Sequence, residues 1–177
     1  MTEYHAPLKD MRFALQELAG LPGILSLPAF NDVDDHTVQQ VLNEAANFAR
    51  DIIAPLNIPA DRAGCLVADR QVEIAEGFSE AYRQFVDNGW PSLSGAPAFG
   101  GMGLPHTVGL AAFEMWNSAS MAFALCPMLT GGAASTVADG GDPPGIGESY
   151  YRVRAIDAIL SKDVDWKDAL EADMYPY

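Results

Sequence analysis

Apolar residues at Leu8, Met11, Leu15 and Leu18 recur at helical spacing behind Pro7, with Gly20 and Pro22 as stop signals beyond them, which predicts a short first helix. From Leu21 to Phe30, two prolines and a glycine stand among apolar side chains, the composition of an extended, partly buried connector. The cleanest stripe follows Asp35. Val38, Val41, Leu42, Ala45, Phe48, Ala49 and Ile52 line one helical face, and Gln39, Gln40, Asn43, Asn47 and Arg50 fall off it. Asp34 or Asp35 is placed to cap the exposed N–H groups at its start, and Pro55 to bound its end. Residues 57–77 show no sustained period and contain Pro59, Gly64 and Gly77, so a long irregular excursion is expected there.

A further helix is predicted from about Gly77 to Asn88, with Phe78, Tyr82, Phe85 and Val86 on its apolar face and Gly89 in the position of a left-handed cap. The segment from Gly95 to Pro105 is a loop rich in glycine and proline. Pro105 then suits the first position of a helix, because the N–H it lacks would be unpaired there, and Val108, Ala111, Ala112, Met115 and Trp116 follow in register. Residues 119–140 are almost wholly small or apolar, which predicts two buried helical segments meeting near Cys126 and Pro127. The fold class is therefore all-α, a helical bundle over residues 1–140. Residues 141–147 have the composition of a Gly/Pro linker, and residues 148–177 read as a short acidic helical tail.

Composition narrows the partners. A formal net charge of −14 repels phosphate backbones and anionic lipid, so nucleic acid is excluded as a partner class. The acidity is spread along the chain rather than gathered in blocks, as in a solvated surface. Cys65 and Cys126 are the two cysteines, far apart and outside any C-x-x-C pair, which fits reduced thiols in a cytoplasmic protein better than a disulfide framework or a zinc site. The first residues lack the basic and apolar regions of a secretory signal, and no apolar run approaches the roughly 18–20 residues of a membrane span.

Few residues carry chemistry. His5, His36 and His106 are scattered, with no second ligand at metal-binding spacing, so no metal site is expected. No G-x-S-x-G elbow is present, and Cys126 has no base near it in sequence. Gly100, Gly101 and Gly103 satisfy neither the dinucleotide nor the P-loop pattern and read as a tight loop. Read from the residues alone, the chain has no catalytic assignment.

The order of segments adds a resemblance. The opening from Tyr4 to Phe13 (YHAPLKDMRF), then Val41 to Ala49 running into Ala54-Pro55-Leu56-Asn57, Asp61-Arg62-Ala63-Gly64, Gly77 to Tyr82, Asn88-Gly89-Trp90, the loop from Phe99 to Pro105 and the helix holding Glu114 resemble, in that succession, the N-terminal helical domain of FAD-dependent acyl-CoA dehydrogenases. The resemblance covers about 140 of the 177 residues. It implies that the glycine-rich loop and the helices after it lie near the fatty acyl chain. Gly100, Gly101, Met121, Leu125, Pro127 and Leu129 thus become candidates for the pocket wall, against the plainer reading that they pack the domain core. Phe99 and Met102 stand where the family's loop carries tyrosine and glutamine.

In that family a β-domain with most flavin contacts and a second helical domain with the catalytic glutamate come later, and nothing after Gly140 resembles them. Abstraction of an α-proton needs a positioned carboxylate and hydride transfer needs a bound flavin, so no residue here inherits either role. FAD is implied by the resemblance and is not expected to bind these residues alone. Three readings stay open: a truncated acyl-CoA dehydrogenase inactive by itself, a non-catalytic interaction protein that forms a homo-oligomer or docks on a related chain, and a helical module that binds acyl groups such as acyl-CoA in a completed pocket.

Overall fold

The computed structural model describes residues 4–68 and 71–140, so the predicted linker and acidic tail lie outside the described residues. The chain divides into two compact units, Met1–Cys126 and Pro127–Tyr177. The described part is mainly helical, with one short hairpin, and the all-α reading holds.

Helix α1 (Leu8–Phe13) continues into a wider π-helical turn at Ala14–Leu18, burying Met11 and Leu15 and leaving Leu18 exposed. Gly20 ends it at φ +66°, a left-handed conformation that only glycine adopts cheaply. The extended connector expected next is instead helix α2 (Leu21–Leu25) and one 3-10 turn at Pro28–Phe30. Pro22 and Pro28 each sit in the first turn of their element, where no N–H is needed, so these prolines start helices rather than prevent them.

Helix α3 (Asp35–Phe48) begins as predicted, with the Asp34 carboxylate accepting from the Thr37 N–H at 2.7 Å. It does not end at Pro55. A π-helical turn at Ala49–Ile53 leads straight into α4 (Ala54–Ala63), which contains Pro55 and Pro59. The wider turn immediately before Pro55 loosens the carbonyl spacing that a proline ring otherwise clashes with. After Gly64, strands β1 (Leu66–Ala68) and β2 (Gln71–Glu73) pair antiparallel with Val67 opposite Val72. The irregular excursion predicted for 57–77 thus contains the end of a helix and a short strand pair; strands of three residues are too short to show a period in sequence.

Helix α5 (Phe78–Asp87) buries Ala81 and Phe85, with Phe78 and Tyr82 half-buried; Val86, read as core-facing, keeps 37% of its surface exposed. Gly89 takes the left-handed cap foreseen for it. Helix α6 (His106–Ala119) starts one residue later than expected. Pro105 keeps an extended ψ and caps the helix by accepting from the Val108 N–H at 2.9 Å.

The largest correction concerns residues 119–140. They form one helix, α7 (Met121–Gly140), with Pro127 inside it, and the break falls at Ser120 rather than at Cys126-Pro127. Ser120 is extended and buried; its N–H still donates to Trp116 O at 2.9 Å, and its hydroxyl accepts from the Phe123 N–H at 3.4 Å. It closes one helix and caps the next.

The core of the first unit forms where α3 and α6 pack together, the most extensive contact between separate helices among the described residues. Val38, Leu42, Ala45, Ala49 and Ile53 from the α3 side meet Val108, Ala112 and Met115 from α6 in one buried cluster. An aromatic group completes it around Phe85, whose ring centroid lies 4.7 Å from Trp116 and 5.6 Å from Phe123, both edge-on, and 6.0 Å from Phe48. Such pairs contribute about 0.5–1.5 kcal/mol each beyond area burial.

Candidate functional site

The glycine-rich loop is built by its own backbone. Ser92 O accepts from the N–H groups of Gly95 and Met102, Leu93 O from Leu104, and Gly95 O from Gly103, all between 2.9 and 3.1 Å. These bonds fold residues 92–95 against 102–104, and buried Leu93 and Leu104 anchor the pair to the core. Gly100 sits at φ +82° as the cap of the 3-10 turn Pro97–Phe99. At Gly101 a Cβ would stand 2.1 Å from the Gly95 carbonyl oxygen. Two backbones meet there with no room for a side chain, so the loop itself requires both candidate glycines.

Met121 and Leu125, in the first unit, lie on α7 and are exposed, Met121 to 64% of its surface. Farther along the same helix Pro127 sits within the helical run, and Leu129, in the second unit, is 71% exposed. Positions 121 and 125 share one face by helical spacing, and α7 carries no charged residue before Asp139. The expectation of a buried helix is corrected here: α7 presents an apolar stripe to solvent, while Phe123 and Ala124 on its other side are buried. Gly101 is spaced by Gly95, and among the described residues one depression of about 50 Å3 lies among α1, α2 and α3 and another of about 300 Å3 beside the N-terminal segment.

Electrostatics adds no acid–base pair among the described residues. Burial raises the Tyr4 phenol above its ordinary range, with the Ser118 hydroxyl acting in the opposite sense and the Glu114 carboxylate reinforcing it. Hydrogen bonds from Thr37 hold Asp34 below the usual carboxylate range, and those from Arg50 do the same for Asp51. Both shifts have structural causes, a helix cap and an ion pair. Among the described residues no three His, Cys, Asp or Glu side chains cluster to hold a metal ion, and no helix is long and apolar enough to cross a membrane.

The sequence reading overlooked the buried indole N–H groups of Trp90 and Trp116, which have no hydrogen-bond partner among the described residues, and the cap at Ser120. A serine directly before an apolar run was the available signal for the cap. The indoles gave none, since their pairing depends on side chains distant in sequence.

Similarity to known proteins is partial and points one way. The chain is 42% identical over 130 residues to the 3-methylmercaptopropionyl-CoA dehydrogenase of Ruegeria pomeroyi, a stretch that covers 73% of the chain and 22% of that relative. It is a partial homologue of acyl-CoA dehydrogenases. A second relative, the broad-specificity linear acyl-CoA dehydrogenase FadE5 of Mycobacterium tuberculosis, is 28% identical over 110 residues, 61% of the chain and 18% of the relative. The matches thus span less than a quarter of the length of these relatives. No protein-family model matches the chain. Acyl-CoA dehydrogenases are FAD-dependent, and neither of these two depressions is large enough to enclose a flavin dinucleotide.

Proposed function

We infer that residues 1–140 are the N-terminal helical domain of an acyl-CoA dehydrogenase-type protein, and that the α7 stripe is the part of it turned toward an acyl chain. The observation that carries this reading is the 42% identity over 130 residues, in a chain whose matching region is helical and whose α7 leaves Met121 and Leu125 exposed. In this reading the α,β-oxidation of an acyl-CoA thioester, with FAD as hydride acceptor, belongs to the whole enzyme. These 177 residues supply the scaffold and an apolar surface and are inactive alone. The two described carboxylates with lowered pKa are engaged by a cap and an ion pair, which leaves neither placed as an α-proton base. The protein acts in the cytoplasm.

A visible absorption spectrum of the purified chain, recorded with FAD and with a medium-chain acyl-CoA, tests this reading. The expected result is no retained flavin and no substrate-dependent bleaching. A flavin spectrum bleached by acyl-CoA overturns the assignment of inactivity. The α7 stripe also favours a non-catalytic reading in which the chain self-associates or docks on a related chain, for which the measurement is mass in solution together with binding of a hydrophobic dye.

A further inference from the structure

Asn88, exposed at the end of α5, is the one asparagine of the chain followed by glycine. Asparagine is a thermolabile residue, and glycine leaves the next amide nitrogen uncrowded. The Gly89 nitrogen can attack the Asn88 side-chain carbonyl carbon: a C–N bond forms, the side-chain nitrogen leaves as ammonia, and water then opens the cyclic imide to aspartate or isoaspartate. No electrons are gained or lost, and water is the only co-reactant.

The fold holds this step back in three ways. At ψ −2° the Gly89 nitrogen is eclipsed with the Asn88 backbone nitrogen, a third of a turn from Cβ, whereas closing the five-membered ring needs it alongside Cβ. The Gly89 N–H donates to Val86 O at 2.9 Å, and Gly89 O accepts from the Ser92 N–H at 3.0 Å and from Ser92 Oγ at 2.9 Å. The Met102 methyl lies 2.6 Å from the place a Cβ on Gly89 would take, and Met102 is tied there by its N–H to Ser92 O at 2.9 Å. The glycine-rich loop therefore sits as a cover on the left-handed cap of α5.

We propose that Asn88–Gly89 is a site of spontaneous deamidation in the folded chain, timed by the opening of the cap that Ser92 and Met102 hold shut. The product is not neutral for the fold. A new carboxylate at the C-terminal end of α5 opposes the helix dipole, and isoaspartate lengthens the main chain next to Trp90, whose ring lies 5.5 Å from Trp116 and 6.1 Å from Phe48.

The test is incubation of the full chain at mildly alkaline pH, folded and in urea, with conversion at each asparagine followed by peptide mass spectrometry. Asn88 is expected to convert in the folded chain ahead of the other asparagines, at least about tenfold more slowly than in urea. Met102→Ala, which uncovers Gly89, should raise the folded rate at least about threefold and leave the rate in urea unchanged. Conversion of Asn117 before Asn88 in the folded chain overturns the site. Equal folded and urea rates, or a folded rate indifferent to Met102→Ala, overturn the control by the cap. Should Met102→Ala fail to fold, Ser92→Ala, which removes the Oγ bond to Gly89 O, makes the same comparison with the same outcomes.

Discussion

Helices α6 and α7 are neighbours in sequence and alike in composition, yet they use their apolar residues in opposite ways. On α6, Val108, Ala112, Met115, Trp116 and Ala119 form a stripe buried against α3 and the aromatic group, and Glu114 and Leu110 stand outside it. On α7, Phe123 and Ala124 are buried, while Met121, Leu125, Met128 and Leu129 face solvent. The difference shows that hydrophobicity states a demand for burial and that a neighbouring element has to meet it. In α6 the demand is met within the described residues. In α7 it is met on one side only.

Mutations can break this contrast. Trp116→Ala on α6 removes a side chain in ring contact with Phe85 and Trp90, and the expected loss is about 3–5 kcal/mol in urea denaturation; a loss below ~1 kcal/mol would mean that the buried stripe is not the stabilising element. Gly101→Ala, in the loop leading into α6, forces a methyl against the Gly95 backbone and should cost about 1–3 kcal/mol, read from the same experiment. Ser120→Ala removes the cap between the two helices, with an expected cost of about 1 kcal/mol. If it costs nothing, the break between α6 and α7 is held by packing alone.

Asp34, capping the helix on which α6 rests, gives a pH test. Its carboxyl is held below its ordinary value in the folded chain, so the stability it contributes is present above the unfolded carboxylate range near pH 4 and is lost as the pH falls through the lowered folded value. Melting temperature measured from pH 7 downward should therefore fall less in Asp34→Ala than in the natural chain over that acid window. Smallest of all, Leu125→Gln on the open side of α7 should change stability by less than about 0.5 kcal/mol and reduce hydrophobic-dye binding. A large loss of stability would show that this face is covered after all.

The elements read correctly were those whose signals are local. Helix α3 was visible because polar Gln39, Gln40 and Asn43 interrupt its apolar stripe, and its cap needed only an aspartate three residues before Thr37. Prolines misled at Pro22, Pro28, Pro55 and Pro127, because a missing N–H costs little in a first turn and because a wide turn or local relaxation accommodates the ring elsewhere. Over residues 119–140 nearly every side chain is small or apolar, so no period marked which face is covered or where the break falls. At the candidate site the glycines announced a tight loop, but the reason for Gly101 lies in Gly95, and a close approach of two backbones leaves no trace in a single stretch of sequence.

The π-helical turn at Ala49–Ile53 has a consequence for how this domain tolerates changes in length. Such a turn is geometrically an α-helix holding one residue more than the standard winding needs. Loss of a single residue from that stretch would let the backbone rewind into ordinary α geometry while the faces of α3 and α4 on either side keep their orientation. Loss of one residue can thus be absorbed locally at this point, whereas the same deletion near Leu42 would turn the downstream positions, Ala45, Ala49 and Ile53 among them, away from the core.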